Sequence, residues 1–347
     1  MTTASRKYDH LKLCIDENIS HGNSGFDDVV LVHNALPELD FNEIDPSTEF
    51  LNRKVGSPLV ISAMTGGHAL TSAVNENLAK AAEKYNLVMG VGSQRAALED
   101  SSQEDSFRIV RDTAPHAFLA ANIGAVQLVS HGMEWVEKAV EMIDADAVCV
   151  HLNFLQEAIQ PEGEKNASGV LASLHTLCRE SRVPVIVKET GSGISGTAGK
   201  ALFDVGVSAI DVGGFGGTSW AKIESLRSAG DKTRQTLGNT FLNWGIPTAV
   251  SVFEVAKVKK GTLISTGGLN SGLDIAKSIA LGADFGGMAL ALLAPAHAGE
   301  SQLFDKIDTI LAEFKTAMFL SGAKNPVELA KTKYYLTGTV REMTAEI

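Results

Sequence analysis

Short runs of uninterrupted apolar residues recur along the chain from Pro58 onward, each closed by a Gly-, Ser- or Asn-containing turn and followed by helical spacing. The first is Pro58 to Ala63 (PLVISA), which ends in Met64-Thr65-Gly66-Gly67 before a helical stretch over 71–85. The pattern repeats at Leu87 to Gly92, Ala117 to Gly124, Asp146 to Asn153, Pro184 to Glu189 and Ser208 to Gly214. It ends with a run closing at Leu263-Ile264 and a last one from Asp284 to Ala289. Runs without polar alternation are those of strands covered on both faces, and strands that alternate with helices build a parallel sheet. Eight of them predict an α/β fold, a (β/α)8 TIM barrel.

Further helices are predicted over 105–113, from near Ser271, over 247–257, and as one extra turn or short helix within 231–243. Helical spacing over 300–320 and 326–336 predicts C-terminal helices that close the outer ring. Residues 1–57 lack the repeat and read as an N-terminal extension, leaving 58–347 as the barrel. The extension opens on a charged patch, Arg6, Lys7, Asp9, His10 and Lys12, with little apolar surface to anchor it. Mobility in the absence of a ligand is the expectation there.

Composition narrows the class. The 347 residues are 44% apolar, enough for a full core, and no run approaches the ~18 apolar residues of a membrane span. The start lacks a signal-peptide core, so a soluble, cytoplasmic protein is expected, with no membrane partner. Cys14, Cys149 and Cys178 are far apart with no CxxC spacing, which disfavours a disulfide framework or thiolate zinc. A net charge of −11 argues against nucleic acid, so an anionic ligand needs a local cationic cluster.

In such barrels the site lies at the C-terminal strand ends. Collecting these ends gives Met64-Thr65, Ser93-Gln94-Arg95, Asn122, His151 with Asn153, Gln156 and Glu157, Lys188, the loop through Thr218, Gly267-Gly268, and Ala289-Leu290. By two-residue alternation Cys149, His151 and Asn153 share a face. The turn Thr266-Gly267-Gly268 before a helix starting near Ser271 offers backbone amides and a helix dipole to an anion. Lys188 closes an apolar strand and has three open roles: a Schiff base, a phosphate contact, or a cation beside an anionic cofactor ring.

The motifs RKYDHL, ISAMTGG, GVGSQR, ANIGA, HLNFLQEAIQPEGE, VIVKETGSGIS, DVGGFGGTSW and STGGLNSGLD occur in this order over nearly the whole chain. In that combination the sequence resembles the type 2, FMN-dependent isopentenyl-diphosphate isomerases. The resemblance implies that Ala63, Met64, Thr65, Ser93, Asn122, Lys188 and Thr218 hold the flavin ring and ribityl chain of FMN. Gly268, Asn270, Ala289 and Leu290 would surround its phosphate. It implies a diphosphate substrate gripped by Arg6, Lys7, His10, Ser93, Gln94, Arg95, His151 and Asn153, with Glu157 as the protein ligand to Mg²⁺. Gln156 would lie by the substrate double bond, and Gln156 and Lys188 would be the catalytic pair.

The implied reaction is a 1,3-allylic proton shift with reduced FMN as acid and base, started by NADPH. No GxGxxG motif stands between strand and helix, so a nicotinamide would visit only transiently. Homo-oligomers, tetramers or octamers, are also implied. Two positions at the cofactor phosphate depart from the family pattern, Asn270 and Leu290 standing where arginines are usual, and Tyr8 and Phe154 stand where Asp and Pro are commoner. Two rival readings are an FMN-dependent 2-hydroxy-acid oxidase, whose His-and-Arg cluster is not seen after strand six, and a non-catalytic binder of a phosphorylated ligand.

Overall fold

The computed structural model describes residues 3–228 and 230–345, with the side chains of residues 3–6 and 8 left out of the description. Eight parallel strands close on themselves: Leu59–Ile61 (β1), Val88–Gly90 (β2), Phe118–Gly124 (β3), Ala147–Leu152 (β4), Val185–Glu189 (β5), Ala209–Asp211 (β6), Thr262–Ser265 (β7) and Phe285–Met288 (β8). Closure is made where Gly286 of β8 pairs with Leu59 of β1. This is the TIM barrel that the apolar runs predict.

Strand alternation divides the residues into two cores. Leu59, Ile61, Met89, Leu119, Val148, Val150, Val187 and Ile210 point outward into the helical layer. Val60, Val88, Phe118, Ala120, Ala147, Cys149, Ile186, Ala209, Ile264 and Phe285 fill the barrel interior. An antiparallel hairpin, Thr48–Phe50 with Arg53–Val55, closes the N-terminal end. It inserts the fully buried Phe50, whose ring meets Phe118 and Phe285 edge-on at centroid distances of 4.9 Å each. The floor is therefore sealed by aromatic packing, and the opposite end is where polar groups gather.

The surrounding helices follow the predicted positions: Ser72–Tyr85, Asp105–Thr113, Thr248–Ala256, Gly272–Ala280 and Glu300–Ser321, with a helix at Lys232–Thr240 in the long connection before β7. Ser271 starts its helix with a reciprocal capping box to Asp274. Two segments differ from expectation. The stretch 326–336 is helical only over Pro326–Leu329; Tyr334–Leu336 is a strand that pairs antiparallel with Val29–Leu31. A helix not foreseen, Gly338–Ala345, follows it.

The start of the chain also differs. Thr3–Asp16 is a helix, and it lies across the open end of the barrel with His10 and Leu11 buried. Leu11 supplies the apolar anchor that the charged patch was expected to lack. A bridge between Ser20 and Thr218 joins the following segment to the loop after β6.

Candidate active site

The top interior layer of the barrel is polar. Continuing the inward alternation past Ala120, Cys149, Ile186, Ala209 and Ile264 brings Asn122, His151, Lys188, Asp211 and Thr266 to the C-terminal mouth, each at least half-buried. His151 and Lys188 are register partners, as are Lys188 and Asp211. They open onto a cavity of ≈1660 Å³, including its entrance, which also admits Lys7, His10, Gln156 and Trp220.

The cavity has a glycine-built side. A Cβ on Gly92 would lie 2.4 Å from the Thr65 carbonyl oxygen, one on Gly217 would lie 2.5 Å from the Gly268 nitrogen, and one on Gly287 would lie 2.5 Å from Ser62 Oγ. At Gly92 and Gly217 backbone therefore packs on backbone, and at Gly287 the strand makes room for the Ser62 side chain. Ala63, Met64, Thr65, Ser93, Thr218, Gly268, Asn270, Ala289 and Leu290 line the same wall. The buried Ser62 hydroxyl beside it has no partner among the described residues, as suits a wall that meets a polar ligand.

Thr266, Gly267 and Gly268, the turn whose amides are expected to meet an anion, line the cavity, whereas the amides that follow it are taken within the chain. Asp274 accepts from the backbone N–H of Asn270 and of Ser271, and Glu313 accepts from that of Gly272 at 2.7 Å. These donors are already used by carboxylates. The Asn270 carbonyl meets Lys306 Nζ at 3.3 Å, so a cation stands near this turn.

Lys188 Nζ donates to the Glu189 carbonyl at 2.6 Å and lies 3.8 Å from Asp211 Oδ2. Asp211 also accepts from the Thr266 hydroxyl and from the Gly213 amide. Burial raises its pKa above the ordinary aspartate value, against the opposing pull of Lys188. Glu189 is pushed up to about 7 by burial although it accepts from the amides of Thr190, Gly191 and Ser192. Burial likewise pushes the Cys149 thiol up to about 12, so the shared face with His151 carries no thiolate chemistry.

On the other side of the mouth, His151 Nδ1 donates to Asn122 Oδ1 at 2.9 Å, while Asn122 Nδ2 donates to the Val91 carbonyl. Burial, then the charges of Lys188, Lys7 and Arg95, bring His151 down to about 3, a neutral imidazole. Asn153 Nδ2 donates to Glu157 Oε1 at 2.9 Å and to Gln156 Oε1 at 3.2 Å. Glu157 Oε2 accepts from Gln160 Nε2 and from the Glu164 amide. Among the described residues no group of three or more His, Cys, Asp and Glu side chains forms a metal cage.

A cluster that sequence reading missed adjoins these groups. Glu224, fully buried on the helix Trp220–Arg227, accepts from Gln156 Nε2 at 2.9 Å and from His10 Nε2 at 3.1 Å, and pairs with Arg227. Burial alone would raise its pKa, but these contacts hold it net below the ordinary value. His10 is lowered by burial despite Glu224 and packs edge-on against Trp220 at 5.1 Å.

Two expected residues need separate mention. Gln94 is turned away from the cavity: it is fully buried, donates to the Ala139 carbonyl and accepts from the Asn122 amide, so it holds the end of β3 in place rather than meeting a ligand. The Arg6 side chain lies outside the described residues. Asp211, Glu189, Glu224 and Ser62 are the site groups that sequence reasoning did not single out.

Residues 151–336 match the family model described as FMN-dependent dehydrogenase. A lactate oxidase of Pediococcus acidilactici superposes with a TM-score of 0.69 at 13% identity, covering 96% of this chain and 94% of its own. A mandelate oxidase mutant carrying an FMN adduct gives 0.64 at 14%, covering 94% and 95%. The class is thus the FMN-dependent-dehydrogenase-like TIM-barrel enzymes. Within it, isopentenyl-diphosphate delta-isomerase from Methanoregula boonei is 51% identical over 345 residues, 98% of this chain and 96% of the relative. That from Archaeoglobus fulgidus is 49% identical over 342 residues, 99% and 98%. The chain belongs to the type 2 isopentenyl-diphosphate delta-isomerase family.

Proposed function

We propose that the protein interconverts isopentenyl and dimethylallyl diphosphate by moving one allylic proton, with FMN and Mg²⁺ bound. The observation that carries this reading is the convergence in one cavity of two sets of groups. Lys7, Arg95 and His151 line the cavity with the carboxylate Glu157, and the hydrogen-bonded cluster Gln156, Glu224 and His10 adjoins them. The first set, with Asn153 beside it, suits a diphosphate whose oxygens complete the coordination of a hard cation, and the family resemblance would add Arg6 to it.

The glycine-built wall, the unpartnered Ser62 hydroxyl and the inward Lys188 are consistent with FMN. Ala63, Met64, Thr65, Ser93, Asn122, Lys188 and Thr218 would hold its ring and ribityl chain; Gly268, Asn270, Ala289 and Leu290 would hold its phosphate, helped by backbone donors in place of arginines. Reduced FMN, when bound, would supply the acid and base for a proton shift without net redox change.

The chain's own groups have distinct tasks. Lys188, seated on the Glu189 carbonyl and facing Asp211, places a cation at the mouth of the barrel. Gln156 has its amide fixed at both ends, its N–H₂ on Glu224 and its oxygen on Asn153, so it can orient an alkene without supplying a proton itself. Glu224 is held as a carboxylate, which suits a hydrogen-bond acceptor and a partner for His10 rather than an acid. Trp220, Leu11 and Cys14 supply the apolar part of the cavity for a short hydrocarbon tail, and burial holds the Cys14 thiol neutral, with its pKa up to about 12. The helix Thr3–Asp16 lies over the mouth and would limit the access of water to this part of the cavity.

NADPH as the initial reductant, a cytoplasmic location and homo-oligomers belong to the same reading. Anaerobic incubation of the FMN-loaded protein with NADPH, Mg²⁺ and isopentenyl diphosphate tests it. Catalytic formation of dimethylallyl diphosphate with only substoichiometric NADPH oxidation is expected. A flavin that is reduced but yields no allylic product would move the function to hydride transfer.

A further inference from the structure

Glu164 lies on the loop that follows the helix Phe154–Ile159, outside the cavity lining, yet it touches three members of the polar site. Its Oε1 accepts from Arg95 Nη2 at 2.8 Å, and its Oε2 accepts from the Nε2 of the buried Gln127 at 2.7 Å. Its backbone N–H donates to Glu157 Oε2 at 2.7 Å. The preceding residue makes this approach possible: a Cβ on Gly163 would lie 1.8 Å from the Glu157 carbonyl oxygen.

Arg95 has five N–H donors in a rigid fork. Its Nε donates to Glu99 Oε1 at 2.7 Å and its Nη2 to Glu164, which fixes the plane of the guanidinium and leaves the remaining donors for a ligand in the cavity. The same Glu157 oxygen also accepts from Gln160 Nε2 at 2.5 Å, and its other oxygen accepts from Asn153 Nδ2 at 2.9 Å. One residue therefore sets the separation between a cation suited to an anionic headgroup and a carboxylate suited to a divalent metal.

Building on the function proposed above, we infer that Glu164 is a positioning residue for the metal–diphosphate end of the site: it locks Arg95 by its side chain and Glu157 by its backbone, and meets no reacting atom. The inference separates two physical roles of its charge. If Glu164 only opposed the incoming anion, removing the charge would tighten binding; if it positions Arg95, removing it weakens binding because the long side chain must then be ordered by the ligand.

The test uses the FMN-loaded protein and Mg²⁺ with inorganic pyrophosphate, titrated calorimetrically, with isomerase turnover alongside. Glu164→Gln should raise the pyrophosphate Kd and the substrate KM about tenfold, about 1.4 kcal/mol. It should leave kcat within about twofold, and FMN affinity and melting temperature unchanged, because the remote end of the site keeps its contacts. Glu164→Asp should recover part of the loss. Unchanged or tighter pyrophosphate binding would overturn the inference, as would a parallel loss of FMN and thermal stability, which would mark a prop of the fold. Failure of the unsubstituted protein to bind Mg²⁺ and pyrophosphate would instead bring down the functional reading on which the inference rests.

Discussion

Replacing Glu224 by Gln changes one charge and almost no volume at a point where three side chains meet. Glu224 is fully buried and accepts from His10, Gln156 and the almost fully buried Arg227. Its pKa in the folded protein lies below the ordinary value, so the stability it contributes is fully present above about pH 4.5 and is lost as pH falls through the depressed value. At pH 7.5 the whole contribution is therefore open to measurement.

A glutamine keeps one acceptor oxygen but turns two N–H donors toward groups that already donate. Breaking a buried pair costs about 3–5 kcal/mol. Arg227 retains Glu162 at 3.0 Å, which places the expected loss near the lower bound, about 3 kcal/mol. At about 2 °C per kcal/mol for a chain of this size, melting should fall by ~6 °C. Because Gln156 loses its anchor, kcat should fall by about 10- to 100-fold with KM for the diphosphate nearly unchanged. Urea unfolding of the FMN-loaded protein at pH 7.5, together with steady-state turnover, reads both. A loss under about 1 kcal/mol, or undiminished kcat, would refute the view that this buried cluster holds Gln156 in place.

Three further outcomes follow from the geometry. His151 is neutral and near 3 in the folded protein against 6.5 unfolded, so folding stability should fall as pH drops below 6.5; about 1.4 kcal/mol should disappear between pH 7.5 and 5.5, and His151→Gln should remove that part of the slope in urea midpoints. Gly92→Ala would place a methyl carbon 2.4 Å from the Thr65 carbonyl oxygen and shift the Met64-Thr65 turn; FMN should bind about tenfold more weakly by fluorescence titration, while the barrel's far-ultraviolet circular dichroism stays the same. Phe50→Ala empties the barrel floor and should cost about 3–5 kcal/mol in unfolding without altering turnover at 25 °C, since the floor and the site are at opposite ends.

Much of the architecture was legible because each barrel strand is a separate apolar run with its own turn, and doubly covered strands need no partner to be recognised. The strand ends likewise pointed to Asn122, His151 and Lys188, since polar residues finishing apolar runs stand out locally. Asp211 did not stand out: it ends a short run, and its meaning comes from Thr266, 55 residues later, and Lys188 on the neighbouring strand. Glu224 lies in a stretch that reads as the loop after strand six, and only the folding of Trp220–Arg227 as a helix and its tertiary packing bury it.

Gln94, between Ser93 and Arg95 that do line the cavity, points the other way because its amide satisfies the end of β3. The strand Tyr334–Leu336 reads as a helix continuation until its partner, Val29–Leu31, is brought beside it. In each case the missing information is a contact far along the chain.

That same pair of strands orders events during synthesis. The Asp28 carbonyl accepts from Thr337 Oγ1, 309 residues later, and Val29–Leu31 has no sheet partner until Tyr334–Leu336 has been made. Val29–Leu31 is therefore paired only after all eight barrel strands have been made, whereas the segment just before it is held to the loop after β6 by the Ser20–Thr218 bridge. A nascent chain can complete its barrel before this late clasp forms, so a stop codon a few residues upstream of Tyr334 should leave a folded barrel in which Val29–Leu31 is an unpaired strand.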